Sequence, residues 1–74
     1  MSVSAIFLIA ATPDQDYIIN SNPIQISIEL GMTKDSVIRV MKNSVTKRQM
    51  IVISGETRYV IPTAWAKEIE VSLI

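Results

Sequence analysis

The sequence predicts a small α+β domain whose elements run strand, helix, turn, helix, β-hairpin, helix. Three observations predict it. Two segments with helical apolar spacing flank a Gly-Met-Thr turn at 31–33, two β-rich runs flank Ser-Gly-Glu-Thr at 54–57, and residues 63–74 carry apolar side chains at helical intervals. With 74 residues, of which 49% are hydrophobic, the chain suffices for one domain with one modest core.

The first predicted element is a strand over residues 3–10, where Ile6, Phe7 and Ile9 favour β structure. This apolar start resembles the core of a signal peptide. It lacks the basic segment that precedes such a core, and it is far shorter than the roughly 20 residues that a membrane span needs. Residues 12–22 are dense in Pro, Asp and Asn, so they are predicted to form a loop.

A first helix is predicted over residues 21–31. Asn22 suits the N-cap, Pro23 the first helical position, and Gly31 the left-handed position after the last turn. The residues expected to supply its apolar side are Ile24, Ile28 and Leu30. Ile26 and Ile28 also alternate as they would in a strand, so the spacing alone leaves both structures open.

A second helix is predicted over residues 33–43. Thr33 suits its N-cap, and the carboxylate of Asp35 suits the positive end of a helix. An apolar stripe at i, i+3 and i+4 is expected to face the core, and it comprises Val37, Val40 and Met41. The side chains expected to point away from the core are Lys34, Ser36, Ile38, Arg39 and Lys42. Asn43 can end the helix because asparagine tolerates the left-handed conformation.

A β-hairpin is predicted over residues 50–61, with Gly55 supplying a positive φ at its turn and Pro62 ending its second strand. The closing helix is predicted over residues 63–74 from the i, i+4 and i+8 spacing of Trp65, Ile69 and Leu73. Tyr59 and Trp65 are expected in the core, since a domain this small needs its aromatic side chains there.

The composition excludes several chemistries. The chain has no Cys and no His, so it lacks thiolate ligands, disulfides and the commonest general base, and we expect neither an enzyme nor a cofactor. Cytoplasmic residence is consistent with this composition. Asp14 and Asp16 lie two apart in the predicted loop, which is only a weak indication of a cation site.

The net charge is zero, but the basic residues cluster. Residues 31–60 hold six of the seven basic residues against two acidic ones, whereas residues 1–30 hold three acidic residues and no basic one. Such asymmetry is typical of a surface that binds nucleic acid. The alternative is a solvated polar face.

Two helices joined by a short turn and followed by a hairpin form a winged helix-turn-helix, in which the second helix enters the major groove of DNA. Arg39 can donate to guanine or to phosphate, and Lys34 to phosphate. The predicted contacts in the recognition helix are Thr33, Lys34, Ser36, Arg39 and Lys42. Those in the wing are Lys47, Arg48, Gly55, Thr57 and Arg58.

The sequence resembles the excisionase-like, MerR-type winged helix-turn-helix family, and within it the Cox and Apl regulators of temperate phages. The resemblance is carried by the stretches 29–42, 55–62 and 64–73. The resemblance implies a repressor and excisionase that binds direct repeats of double-stranded DNA cooperatively and bends them, with an integrase as a further partner and no membrane association. The segment 43–49 is longer than the link before the wing in that family, and it lacks glycine.

Self-association on DNA would bring the acidic flanks of one copy against the basic middle of the next. A second hypothesis is a protein–protein adaptor that binds a polymerase or recombinase without reading DNA. An outward Ile38 and the apolar residues 71–74 favour it. A plasmid or antitoxin-like repressor is a third hypothesis, distinguished from the first only by genetic context.

Overall fold

The fold is described by a computed structural model that covers residues 5–74. It consists of one six-stranded antiparallel sheet with two one-turn α-helices. The strands are β1 (Ala5–Phe7), β2 (Asp16–Ser21), β3 (Val37–Val40), β4 (Gln49–Ser54), β5 (Thr57–Pro62) and β6 (Glu70–Leu73). The helices are α1 (Gln25–Glu29) and α2 (Thr63–Ala66), and a 3₁₀ turn spans Leu8–Ala10.

The sheet has the strand order β1-β6-β2-β3-β4-β5 and curls around a single core. Alternate residues of the long strands point inward, as the two-residue period of a strand requires. The buried side chains come from β2 to β6, the 3₁₀ turn, α2 and the segments next to the helices, and they include Leu8, Ile19, Met32, Ile38, Val52, Ile61 and Val71. α2 packs against β4, β5 and the 3₁₀ turn, so it covers one side of this partial barrel.

The predicted helix-turn-helix is wrong, because the segment assigned to the recognition helix contains a strand. Residues 33–36 form a turn in which the Ser36 amide donates to the Thr33 carbonyl at 3.1 Å. Strand β3 follows and pairs with β2 and β4. The helical stripe misassigned two side chains, since Ile38 is 1% exposed in the core and Val37 is 46% exposed. β-branched residues with partners on both sides favour the strand over an isolated helix.

The predicted closing helix is also wrong, and so is the predicted loop at 12–22 over residues 16–21. Residues 63–66 form α2, but the chain then enters β6 at Glu70 and pairs with both β1 and β2. Residues 16–21 form β2, which pairs with β3 and β6. A strand in the middle of the sheet therefore replaces the loop that the Asp and Asn residues suggested, because tertiary pairing outweighs those local preferences.

Several predictions are confirmed. The hairpin exists as β4 and β5, and its two-residue turn has a positive φ of 63° at Gly55 and none at Glu56, as a type II′ turn requires. Tyr59 and Trp65 pack against the core. The first strand is confirmed in part, as β1 followed by the 3₁₀ turn, while residues 3 and 4 lie outside the described residues.

The first predicted helix exists in shortened form as α1, and Gly31 occupies its predicted C′ position with a φ of 108°. The amide of Gly31 donates to the Ile28 carbonyl and that of Met32 to the Ser27 carbonyl, each at 3.0 Å. These two bonds define a Schellman motif. The helix therefore ends where the sequence predicts, although it begins two residues later, at Gln25 and not at Pro23.

Candidate interaction surfaces

Helix α1 displays two large apolar side chains to solvent. Ile26 is 60% exposed and Leu30 is 42% exposed. They stand at i and i+4, so they are neighbours on one side of the turn, with the exposed carboxylate of Glu29 beside them. We call these three residues the α1 face. Ser27, the residue after Ile26, points about 100° away around the helix axis and is fully buried.

A polar network beneath α1 holds it in place. The Asn22 amide nitrogen donates to Ser27 Oγ at 2.6 Å and to the Met32 carbonyl at 2.7 Å, while its oxygen accepts from the Ile24 amide at 2.9 Å. Ser27 Oγ in turn donates to the Ile24 carbonyl at 2.8 Å. Asn22 was predicted to cap the helix, and it acts from two residues before the N-cap, Ile24. It joins both ends of the helix to its buried side.

A second surface is the outward side of strands β2 to β5. The strand register places Asp16, Arg39, Ile53 and Arg58 in one row across this surface. Arg39 Nε donates to Asp16 Oδ1 at 2.9 Å, and Arg39 Nη2 lies at the same distance from that oxygen. We call this surface the outer sheet face.

An open groove of about 360 Å³ runs along the outer sheet face. Its lining comprises Asp16, Val37, Ile38, Arg39, Ile53 and Gly55. Val60, on the edge strand β5, is 61% exposed and lies beyond Ile51 on the same side of the sheet. The outer sheet face therefore combines β-branched side chains with one negative and two positive charges.

The structure separates the predicted DNA-contacting residues. Lys42, Lys47 and Arg48 lie in the β3–β4 connection at one end of the sheet, whereas Lys34, Gly55 and Thr57 lie at the other end. The six residues of β4 lie between these ends, a span of about 20 Å at about 3.3 Å per residue. Arg39 and Arg58 project from the outer sheet face between them.

Thr33 and Ser36 serve a local purpose. Their hydroxyl groups are 2.9 Å apart, and Ser36 Oγ donates to the Gly31 carbonyl at 3.2 Å. They shape the turn into β3 and are not part of a recognition helix. Contact of the ten predicted residues with DNA stays a prediction that no structural observation tests.

Two further predictions concern ions and membranes. Asp16, one of the two aspartates considered for a cation site, is engaged by Arg39. Among residues 5–74, no three His, Cys, Asp or Glu side chains gather as they would around a metal ion. Within the same range, no helix has the length and apolarity needed to cross a membrane.

The α1 face was not predicted from the sequence. Ile28 and Leu30 were assigned to the core side of the first helix, and Ile26 to a strand-like alternative. One signal was available, because Ser27 is flanked on both sides by isoleucine. Consecutive helical residues point about 100° apart, so a helix that buries Ser27 can turn Ile26 toward solvent, which the apolar count alone does not reveal.

The fold and these surfaces define a small SH3-like partial β-barrel with displayed apolar side chains. No protein-family model matches the sequence, and no curated protein matches it. Among solved structures, this chain is similar in fold to two proteins that are neither excisionases nor phage Cox or Apl regulators.

The first is the iron uptake regulatory protein FeoA, with a TM-score of 0.84 and 20% identity over 97% of this chain and 100% of the FeoA chain. The second is a manganese-dependent transcriptional repressor, with a TM-score of 0.84 and 15% identity over 100% of this chain and 44% of the repressor chain. The chain thus spans less than half of the repressor. At these identities the likeness establishes the fold.

Proposed function

We propose that this chain is a regulatory protein of iron uptake that acts by docking on a protein partner through the α1 face. The observation that carries the proposal is the half-buried Asn22–Ser27 network beneath two exposed apolar side chains. The likeness to FeoA supports the choice of process, since the two folds correspond over the whole FeoA chain. The repressor with the same fold supports a regulatory role.

The network explains why the α1 face suits a binding site. A helix of five residues is too short to be stable by its own hydrogen bonds. Here side-chain bonds to Asn22 and the Schellman motif fix it, so Ile26 and Leu30 are already ordered before a partner arrives. Ordering before binding reduces the entropy lost on association. Apolar side chains that are held rigid at the surface are typical of interaction sites.

The charge of the α1 face indicates the kind of partner. Glu29 is exposed beside Ile26 and Leu30, and no basic residue precedes Lys34 in the chain. An anionic lipid surface would repel this carboxylate. A protein surface with an apolar pocket and a nearby Lys or Arg would accommodate both the side chains and the charge.

The test is iron uptake by cells in which variants replace the wild-type chain. We expect an Ile26→Ser, Leu30→Ser double variant to lower the uptake rate to that of cells lacking the chain, because the partner loses its apolar contact. Val45→Ser is the matched control, since Val45 is 46% exposed in the β3–β4 connection. Urea denaturation of both purified variants verifies folding.

Two outcomes would contradict the proposal in different ways. If cells lacking the chain take up iron normally, the assignment to iron uptake is wrong. If those cells are defective and the double variant restores uptake fully, the chain regulates iron uptake but the α1 face does not dock.

Binding to DNA is a second candidate function, and one observation favours it. The connection at 41–48 exposes Lys42, Lys47 and Arg48 and contains no acidic residue. Such a loop can contact phosphates without base readout. Affinity for random duplex DNA that falls steeply with salt would be its signature. Repression, excision and an integrase partner rest on the sequence resemblance alone.

A further inference from the structure

The row of residues across the outer sheet face has an order of charges that matters for self-association. From β2 to β5 it reads negative at Asp16, positive at Arg39, apolar at Ile53 and positive at Arg58. Asp16 pairs with Arg39 within the chain. In residues 5–74, no carboxylate forms a salt bridge with Arg58. One end of the row is therefore acidic and the other end is a cation without a partner.

Consider two copies whose outer sheet faces meet. They are related by a two-fold axis that lies between the two faces, parallel to the strands and above the gap between β3 and β4. Such an axis places β2 of one copy over β5 of the other, and β3 over β4. Asp16 of each copy then lies over Arg58 of the other. The two ends of the row are complementary under this operation, so one symmetric arrangement forms two new ion pairs and keeps each Asp16–Arg39 pair.

The shape of the surface fits the same arrangement. Continuing the β3–β4 register one residue beyond the Ile38–Ser54 pair brings Gly55, just past the end of β4, beside Val37. In the symmetric arrangement, Val37 of one copy therefore lies over Gly55 of the other. Gly55 has no side chain, and a Cβ placed on it would meet nothing within 4 Å. The exposed Val37 of one copy can thus enter the groove of the other beside Gly55. Ile53 of each copy lies close to the axis.

We propose that the outer sheet face is a self-association surface through which two copies of this chain form a symmetric dimer, held by reciprocal Asp16–Arg58 ion pairs and by Val37 seated over Gly55. This surface is separate from the α1 face, so the proposal stands independently of the proposed docking function. A stable interface buries about 800 Å² on each partner, roughly a sixth of the chain's 4857 Å² surface. We expect an interface built on four short strands to bury less area than that, as is typical of weak association.

The experiment is sedimentation velocity of the purified chain over about 1 to 500 μM. We expect a monomer at the lowest concentration and a dimer at the highest, as for a dissociation constant in the micromolar range. Higher salt should weaken the dimer, since partly exposed ion pairs are screened. A chain that stays monomeric throughout would overturn the proposal and leave the groove to a different partner.

Three variants test the geometry. Arg58→Glu puts like charges opposite Asp16 and should raise the dissociation constant on the order of tenfold or more. Lys67→Glu makes the same charge change at an exposed residue after α2 and should leave the constant unchanged. Combining Asp16→Arg, Arg39→Glu and Arg58→Glu inverts every charge in the row, so self-complementarity returns and the dimer should be restored.

Two results from these variants would contradict the proposed arrangement. A dimer that Arg58→Glu does not weaken, or that the triple inversion does not restore, would overturn the proposed pairing. Each variant is verified by its urea midpoint, because Arg58 is exposed on an edge strand and its replacement should leave the fold intact.

Discussion

The inner and outer sides of strand β3 carry similar residues with different consequences. Ile38 and Val40 point into the core and are at most 1% exposed, whereas Val37 and Arg39 point outward. Both sides carry β-branched residues. The curl of the sheet around the core, not the residue types, determines which side is enclosed. The inner side should therefore control stability, and the outer side is available for interaction.

Helix α1 shows the same division with the polarity reversed. Its buried residue is the polar Ser27, hydrogen-bonded to Asn22 just before the helix, and its displayed side is apolar. Buried polar groups are tolerated when each is hydrogen-bonded, as these are. An exposed apolar side chain on a well-ordered turn is thus not a sign of loose packing. It indicates that the turn is held by other groups.

The largest effect expected from this division concerns Ile38 and Val37. We expect Ile38→Ala to lower the free energy of unfolding by about 2–5 kcal/mol, because it leaves a cavity in the core. Val37→Ala should change it by at most about 0.5 kcal/mol, because that side chain is at the surface. Urea denaturation of the two variants at low protein concentration measures both values.

This pair of variants also separates the two folds. In the predicted recognition helix, Val37 faces the core and Ile38 faces outward, so the order of the two effects would be reversed. A larger loss for Val37→Ala than for Ile38→Ala would contradict the sheet.

The failure of the helix prediction has a physical cause at both ends of β3. Thr33 and Asn43 were assigned as the cap and the stop of a helix, but the same residue types shape turns. Thr33 begins the turn into β3, and Asn43, with a φ of 61°, lies in the turn that leaves it. The predicted left-handed conformation of Asn43 is confirmed, but it ends a strand. The four residues of β3 between these turns match both the helical period and the two-residue period of a strand. Pairing with β2 and β4 decides in favour of the strand.

Elements with their own local signal were predictable. The β4–β5 hairpin needed a glycine at a two-residue turn, and the end of α1 needed a glycine at C′; both are visible in the sequence. The central strand β2 and the last strand β6 have no such signal, since their partners are distant in the chain. The outer sheet face was missed for the same reason. The row from Asp16 to Arg58 exists only through strand register.

An intermediate effect is expected at Asn22, which links the enclosed side of α1 to its displayed side. Asn22→Ala removes three hydrogen bonds and leaves the buried Ser27 hydroxyl without its donor. We expect a loss of about 1–3 kcal/mol, the cost of leaving buried polar groups unpaired. Amide exchange of Met32, whose N–H bonds to the Ser27 carbonyl, should accelerate as the turn loosens.

Ile26→Ala is the matched control for Asn22→Ala, because it changes the displayed side of the same helix. It should leave both the stability and the exchange of Met32 near wild type. Equal losses for the two variants would show that Ile26 contributes to the fold, and the division between an enclosed and a displayed side of α1 would be wrong.

The smallest effect is expected for the Asp16–Arg39 ion pair on the outer sheet face. Its side chains are 49% and 45% exposed, so water and salt screen the attraction. A double-mutant cycle of Asp16→Ala and Arg39→Ala, measured at protein concentrations where the chain is monomeric, should give a coupling of about 0.2–1 kcal/mol that shrinks in high salt. A coupling of several kcal/mol would mean that the outer side also supports the fold. A small coupling in the monomer, together with a weakened dimer in Arg58→Glu, would assign the charges of this row to association and not to folding.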